Sequence, residues 1–377
     1  MKVLIATDKF KGAMDNFQAS SAMRKGVLRA CPDAEITTFS LSDGGEGFLE
    51  LFRRAKELVE IRAETFDPLG RKIEASFLYD NKQQEAVVEL ASASGLMLLA
   101  EEERCCAEAN TFGSGILIRK AIESGAKRII LGLGGSASND AGLGIAKALG
   151  VKILSGNGEE IKPCGKNLSK IHKLDFSQVP DSVKKAEILL ACDVQNPFTG
   201  PEGAVNVYSE QKGANECERE RMEYGMKHLL EVFKKEERTD ISNLEGAGAA
   251  GGCSGGLVAL FDAKIVSGAE LAVEYSGFVG ALGSADLVLT GEGSFDKQSL
   301  RGKLVSIVTK VAHRYGVPVA GFFGKIDPDV DPLDVSCPDF CGALGAGPIS
   351  LKESVERSQE LLEARVLEVI KLLKRFV

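Results

Sequence analysis

The sequence predicts a two-domain α/β protein: a doubly wound parallel-sheet domain, and a mixed-sheet α/β domain inserted into it. Three observations carry this. Strand and helix patterns alternate from the first residues, the hydrophobic period changes between Val59 and Ala91, and the alternating style returns towards the C-terminus. At 377 residues the chain suits two or three domains, and an apolar fraction of 44% is enough to build their cores.

"KVLIATD" opens as a buried strand and "NFQASSAMRKGVLRAC" follows as an amphipathic helix. "EITTFSLSD" and "GEGFLELFRRAK" repeat the pair. "LVEIRAETF", "KIEASFLYD" and "QQEAVVELA" are then separated by the turn-like "DPLGR" and "DNKQ", which reads as an antiparallel or mixed sheet. The helix "TFGSGILIRKAIESG" feeds the strand "RIILGLG" and restores the βα style. Beyond it lie a Pro- and Gly-punctuated region, the strand "EILLACDV", a charged helix and the glycine-dense "EGAGAAGGCSGGLVALF". Strand "ADLVLTGEG", helix "LVSIVTKVAHRYG" and strand "VPVAGFFGK" resume the alternation, and a helix closes the chain. The expected division is therefore residues 1–58, 116–150 and 286–377 in the parallel-sheet domain, with 59–115 and 151–285 in the inserted one.

A net charge of −8 argues against a nucleic-acid partner, which draws a concentrated basic excess. The apolar run after Met1 is too brief for a signal segment or a spanning helix, so a cytoplasmic protein away from membranes is expected. Nine cysteines without CxxC spacing or companion histidines give neither a disulfide framework nor a zinc site.

The richest local signal is "IILGLGGSASNDAGLGIAKALG", Ile129 to Gly150, in which an aliphatic strand runs through glycines into a helix. A strand-to-helix junction gathers unpaired backbone N–H groups, so its default ligand is an anion such as phosphate. Several other strands end in a carboxylate beside small or polar residues: "IATDKFKG", "FSLSDGGEG", "LACDVQNP" and "LTGEGSFD". Ligands of open α/β sheets gather at such ends, which brings forward Asp8, Asp43, Asp193 and Glu292, with Glu46 and Asp296 close by. Clustered carboxylates beside phosphate call for a cation, and Mg²⁺ takes oxygen ligands. Lys9, Lys11, Lys212 and Lys303 stand at the same ends; the last two, flanked by glycine, rise above ordinary surface lysines.

Competing fingerprints are weaker. "GAGAAG" at 246–251 fits GxGxxG, but the preceding "RTDISNLE" is polar rather than a buried strand, as a dinucleotide-dependent oxidoreductase would require. The Walker spacing is missing from "GSFDKQSLRGKL". His172, His228 and His313 have no glycine-flanked nucleophile near them, so proton transfer falls to a carboxylate, as suits phosphoryl transfer to an alcohol.

In order, "DKFKG", "LSDGGEG", "TFGSG", "GLGGSASNDAGLG", "ACDVQNPFTGPEGA", "QKGA", "GAGAAGG" and "TGEGSFDKQSLRGK" span nearly the whole chain. Together they resemble the bacterial glycerate kinase family. The resemblance implies phosphorylation of D-glycerate by ATP with Mg²⁺, giving 2-phosphoglycerate. It also implies a discontinuous flavodoxin-like (Rossmann-like) domain, an active site in the cleft between the domains, and a possible homodimer. Lys9, Ser294 and Leu304 stand where the family usually has Ser, Arg and a nearby Pro.

The resulting expectations are specific. Asp193, after a buried strand and before a turn fixed by Pro197, is the preferred general base, without helix-capping duty; Asp296 is the runner-up. Lys212 and Lys303 neutralise phosphate or the substrate carboxylate, and Asp8, Asp43 and Glu292 hold the metal. Gly134, Gly135 and Ser136 position an anion with Gly291 and Gly293, and Asn139 and Asp140 serve as side-chain contacts or caps. Another small hydroxy-acid or sugar-acid kinase, and a non-catalytic ligand-binding regulator, are the alternatives.

Overall fold

The computed structural model describes residues 1–41, 48–55, 58–297, 299–300, 302–345, 347 and 349–375, without the side chains of residues 40, 50, 51, 54 and 55. Its strands in chain order are β1 (Lys2–Thr7), β2 (Glu35–Ser40), β3 (Val59–Phe66), β4 (Lys72–Asp80), β5 (Glu85–Glu89), β6 (Arg128–Gly132) and β7 (Lys152–Ser155). They continue as β8 (Ile171–Asp175), β9 (Glu187–Ala191), β10 (Lys264–Val266), β11 (Leu287–Phe295), β12 (Val319–Ile326) and β13 (Phe340–Ala343). The chain divides into two compact units, Met1–Asp43 with Ala269–Val377, and Gly44–Gly268.

The first unit is built on a wholly parallel sheet of order β13-β12-β11-β1-β2. Counted within the unit from the β2 edge this is the 2-1-3-4-5 order of flavodoxin-like sheets. Helices cover both faces of such a sheet, which is why β1 is an unbroken buried run after its first residue. On one face Val3, Ile5, Leu287 and Leu289 pack with Met23, Val27, Val366 and Ile370 from helices Asn16–Ala30 and Ser358–Leu373. A capping box between Asp15 and Gln18 starts the first of these helices. Towards helix Leu304–Arg314, Val305 joins Phe295 and Phe323, whose rings stack 4.2 Å apart.

The second unit carries a mixed sheet of order β10-β9-β6-β5-β4-β3 and a separate β7-β8 ribbon. Strands β5, β6, β9 and β10 are parallel, whereas β3, β4 and β5 form an antiparallel meander. The "DPLGR" turn closes because the buried Asp67 carboxylate accepts the backbone N–H groups of Leu69 and Arg71. The Val59 to Ala91 meander is thus as the sequence predicts.

Two segments sit differently from the expected division. Residues 116–150 do not join the terminal segments, because β6 pairs with β5 on one side and β9 on the other. Residues after Gly44 also belong to the second unit: Phe48 lies against β6, where a Cβ on Gly132 would come within 2.6 Å of its ring. Conversely Phe278, expected in the inserted domain, packs edge-on to Phe39 in the first unit. Both units use parallel strands with βα connections, so hydrophobic period alone does not reveal which sheet a buried strand joins.

The chain ends meet at Gly26, where a side chain would place Cβ 2.6 Å from the Glu363 carbonyl oxygen and 2.8 Å from Val366 Cβ. Gly26→Ala should cost roughly 1–3 kcal/mol despite the better helix propensity of alanine, read as a lowered denaturation midpoint. An unchanged or raised midpoint would show that the two helices separate without penalty.

Candidate active site

In an open sheet of this order the crevice opens where the chain reverses direction, at the carboxyl ends of β1 and β11. There the Thr7 hydroxyl and the Asp8 N–H both donate to the Gly291 carbonyl, at 2.9 and 3.0 Å, and tie the end of β1 to β11, which runs on to Phe295. Half-buried Asp8 follows directly, and Glu292 occupies the next position of β11. Glu292 is only 8% exposed, and its Oε1 has no hydrogen-bond partner among the described residues. Burial pushes its carboxyl up to about 7; the Ser299 hydrogen bond and Lys303 oppose that, while the charges of Asp8 and Asp296 add to it. Thr290, on the same side of the strand, is fully buried, and its Oγ1 has no hydrogen-bond partner among the described residues.

Asp296 is held by a turn: its Oδ1 accepts the Ser299 N–H at 2.9 Å, and Lys303 Nζ lies 3.7 Å from it. Lys303 is the N-cap residue of helix Leu304–Arg314 and also reaches the Ser299 hydroxyl at 3.4 Å. Lys9 and Lys11 are exposed. Asp43 and Glu46 fall outside the described residues. Among the described residues, no group of three or more His, Cys, Asp or Glu side chains gathers to hold a metal.

The glycines of this region work partly as packing devices. A Cβ on Gly291 would meet the Phe322 carbonyl at 2.2 Å, so this position is glycine for strand-to-strand contact. Gly293 is less crowded, 3.1 Å from the Lys11 N–H nitrogen.

A second polar cluster stands at the carboxyl edge of the other sheet. Gly132 and Ala191 are register partners, so Gly134, Gly135 and Ser136 leave β6 beside Asp193, which leaves β9. Gly135 takes φ +71°, a left-handed conformation that side chains resist. The Leu96 N–H donates to the Gly135 carbonyl and the Ala137 N–H to the Ser94 carbonyl, so the loop is fixed on both sides. Lys212, only 4% exposed, reaches in and donates to the Ser136 hydroxyl at 2.7 Å and the Ser138 carbonyl at 3.0 Å. Burial holds its ammonium down to about 8, against the pull of Cys106 and Asp140.

Asp140 is fully buried and accepts from the Thr111 N–H and hydroxyl, the Ser138 hydroxyl and the N–H groups of Gly142 and Gly144. Its carboxylate is therefore a cap at the start of helix Leu143–Ala148 and a tie to Thr111, all of it internal. Desolvation still raises its carboxyl from the ordinary value, with those hydrogen bonds opposing the shift. Asn139 beside it is fully buried, and neither amide atom has a partner among the described residues. Asp193, expected to be without capping duty, accepts the Ser267 hydroxyl and the Gly268 N–H at 2.8 and 3.1 Å. A proline-fixed turn says how the chain bends after a carboxylate, not which distant donors fold back onto it.

The weaker fingerprints resolve on geometry. No strand precedes Gly246 among the described residues, so the GxGxxG match has no βα junction. Its glycines allow close approach instead: Cβ atoms at Gly248 and Gly251 would lie 2.3 Å from the Pro197 carbonyl and 2.1 Å from the Ser138 carbonyl. All nine cysteines are free, and no helix among the described residues is long and apolar enough to cross a membrane. His172 and His228 bond backbone carbonyls, and His313 bonds Asp339.

The sequence profile of the glycerate kinase family matches residues 3–374. The chain belongs to the glycerate kinase family. A glycerate kinase of Halalkalibacterium halodurans is 36% identical over 370 residues, covering 98% of this chain and 97% of the relative. A glycerate 2-kinase of Escherichia coli is 38% identical over 330 residues, 88% of this chain and 87% of its own. A crystal structure from Salmonella typhimurium LT2, described as a candidate glycerate kinase 2, superposes with a TM-score of 0.79 at 31% identity, covering 100% of this chain and 98% of that one. Within the family's frame, the residues that motif reading passed over are Thr111, Thr290 and Ser299. Thr111 opens "TFGSG" and Ser299 lies in "QSLRGK", so each was inside a quoted motif without a role.

Glu292 makes stability depend on pH in a defined direction. The folded carboxyl near 7 lies above its ordinary 4.5, so between those values the native state holds a proton that the unfolded chain has released. Stability contributed below pH 4.5 is lost as pH rises towards 7, approaching roughly 3 kcal/mol. Glu292→Gln should melt progressively higher than the parent as pH is raised from 4.5 to 7, with the gap constant above that. A gap independent of pH in thermal melts without divalent cations would refute the protonated carboxyl.

Proposed function

We propose that this protein transfers the terminal phosphoryl group of ATP to D-glycerate with Mg²⁺, giving 2-phosphoglycerate. The observation that carries the proposal is family membership along the whole chain, including similarity to a named glycerate 2-kinase. Phosphoryl transfer asks little covalent chemistry of a protein and much positioning and charge stabilisation, which the polar strand ends supply.

The fit for a divalent cation rests on Glu292. A desolvated carboxylate oxygen without a hydrogen-bond partner among the described residues, which feels the charges of Asp8 and Asp296, is a poor arrangement for the bare protein and a better one beside a hard cation. Asp8 and Glu292, with Asp43 as the further candidate, would hold Mg²⁺. Bound there, Mg²⁺ supplies charge neutralisation at the phosphoryl oxygens. Lys303 brings a cation to the same strand end. Gly134, Gly135, Ser136 and Lys212 position an anionic group of phosphate or substrate on the other sheet, while Gly293 lets backbone approach closely.

Asp193 takes the proton of the attacking hydroxyl. It is exposed, shares a sheet edge with the glycine-serine loop, and its Oδ1 is oriented by Ser267 and Gly268. Asp296, engaged by Ser299 and Lys303, is the second candidate.

A coupled assay over short hydroxy acids, with phosphorus NMR of the product, tests the reaction. Turnover should be strong with D-glycerate, slight with glycerol and galactose, and abolished by EDTA; glycerol turned over as fast as D-glycerate would overturn the substrate, and full rates in EDTA the metal.

Asp193→Asn keeps an acceptor for both of its donors, so the fold should survive. Its kcat should fall roughly 10²–10⁴-fold, about 3–5 kcal/mol in the barrier. A near-normal kcat would remove Asp193 from the chemistry, and a rate restored by excess Mg²⁺ would place it among the metal ligands.

A further inference from the structure

Asn139 is the anomaly of the second unit. An amide brings two donor hydrogens and an acceptor oxygen, yet in this fully buried side chain neither Nδ2 nor Oδ1 finds a partner among the described residues. Leaving such a group dry and unpaired is expensive, and native proteins seldom do so without a reason. The surroundings are not short of hydrogen-bonding groups: Ser138 and Asp140 on either side are both engaged. The chain also comes close here, since a Cβ at Gly251 would lie 2.7 Å from Asn139 Cα.

Lys212 is the second unspent group. An ammonium has three N–H donors. Two of them reach Ser136 and Ser138, and no third partner is found among the described residues for a side chain 4% exposed. Ser138, whose carbonyl takes one of these hydrogens, adjoins Asn139 in the chain. Lys212 thus offers a cation and Asn139 an amide, each sheltered from water.

A triphosphate is the poorer complement of Asn139 itself. Phosphate cradles depend on several free backbone N–H groups; around Asn139 those of Ala137, Ala141, Gly142 and Gly144 are spent on Ser94, Gly251 and Asp140, whereas Gly134, Gly135 and Ser136, whose N–H groups have no acceptor among the described residues, lie nearer β6. One ammonium matches one carboxylate, and an amide that both donates and accepts matches a carboxylate with a hydroxyl beside it.

We propose that Asn139 and Lys212 bind the carboxylate and adjoining hydroxyl of the short 2-hydroxy acid that accepts the phosphoryl group, with Asn139 as a specificity-determining residue. The proposal rests on the glycerate-kinase reading above and assigns the acceptor, rather than the nucleotide, to this cluster.

Asn139→Leu, which keeps the branched shape, and Asn139→Asp, close in volume to the parent, test it through steady-state kinetics and thermal melts. The apolar variant removes an unpaired buried amide, so its melting temperature should hold or rise. Its KM for D-glycerate should rise roughly 10- to 100-fold while KM for ATP stays within about twofold. Asn139→Asp, which sets a carboxylate against the acid, should raise KM for D-glycerate further still. A raised KM for ATP with that for D-glycerate unchanged would assign the cluster to the nucleotide and overturn the proposal. So would a lowered melting temperature in both variants with both KM values unchanged, the signature of a structural amide. If the parent protein turns over no D-glycerate, the glycerate-kinase reading fails first, whereas an active parent with unaltered variants sinks this inference alone.

Discussion

One buried carboxylate holds the second unit's polar edge in shape. Asp140 draws donors from residues 111, 138, 142 and 144 onto two oxygens, and so fixes the start of one helix, the approach to another and the exit of the glycine-serine loop. A carboxylate removed from water is tolerable only when hydrogen bonds replace its hydration, and five of them do so here. With Asp140 saturated, the geometry of Ser136 and Ser138 is set, and that in turn is where Lys212 delivers its ammonium.

The contrast with Glu292 and Lys212 separates scaffold from site. Asp140 is matched by five donors from its own chain; Glu292 and Lys212 are matched only in part, and each is driven by burial towards its neutral form, upwards for the carboxyl and downwards for the ammonium. A desolvated group left partly unpaired carries a cost that a partner of opposite charge would remove. The two unmet charges are of opposite sign, the carboxyl of Glu292 in the first unit and the ammonium of Lys212 in the second.

Much of this was legible from the residues. Alternating strands and helices at both ends of the chain predicted the parallel sheet, and carboxylates after apolar strands predicted that Asp8, Asp193 and Glu292 would stand at strand ends; Asp8 and Asp193 do, whereas Glu292 lies within β11, which runs on to Phe295. The boundaries were not legible at 116–150, because β6 is as apolar and as parallel as the strands of the first sheet, and only its neighbours β5 and β9 assign it. Side-chain partners were beyond reach for a different reason. Asp193 and Asp140 look alike in sequence, each a carboxylate near glycine or proline after a strand, and their difference comes from donors 29 residues away at Thr111 and 75 residues away at Gly268.

The glycines show how a correct pattern can carry two meanings. Close approach to a phosphate and close approach to another backbone both forbid a Cβ, so a glycine-rich loop read in sequence does not say which surface comes near. Gly291, Gly248 and Gly251 each face a carbonyl oxygen of the same chain at 2.1 to 2.3 Å from an ideal Cβ, and these are spent on packing. Gly135, exposed and left-handed, meets only the Ala91 methyl at 3.3 Å. Among these four, then, Gly135 is the one whose missing side chain leaves room at the sheet edge, beside the serine that Lys212 holds.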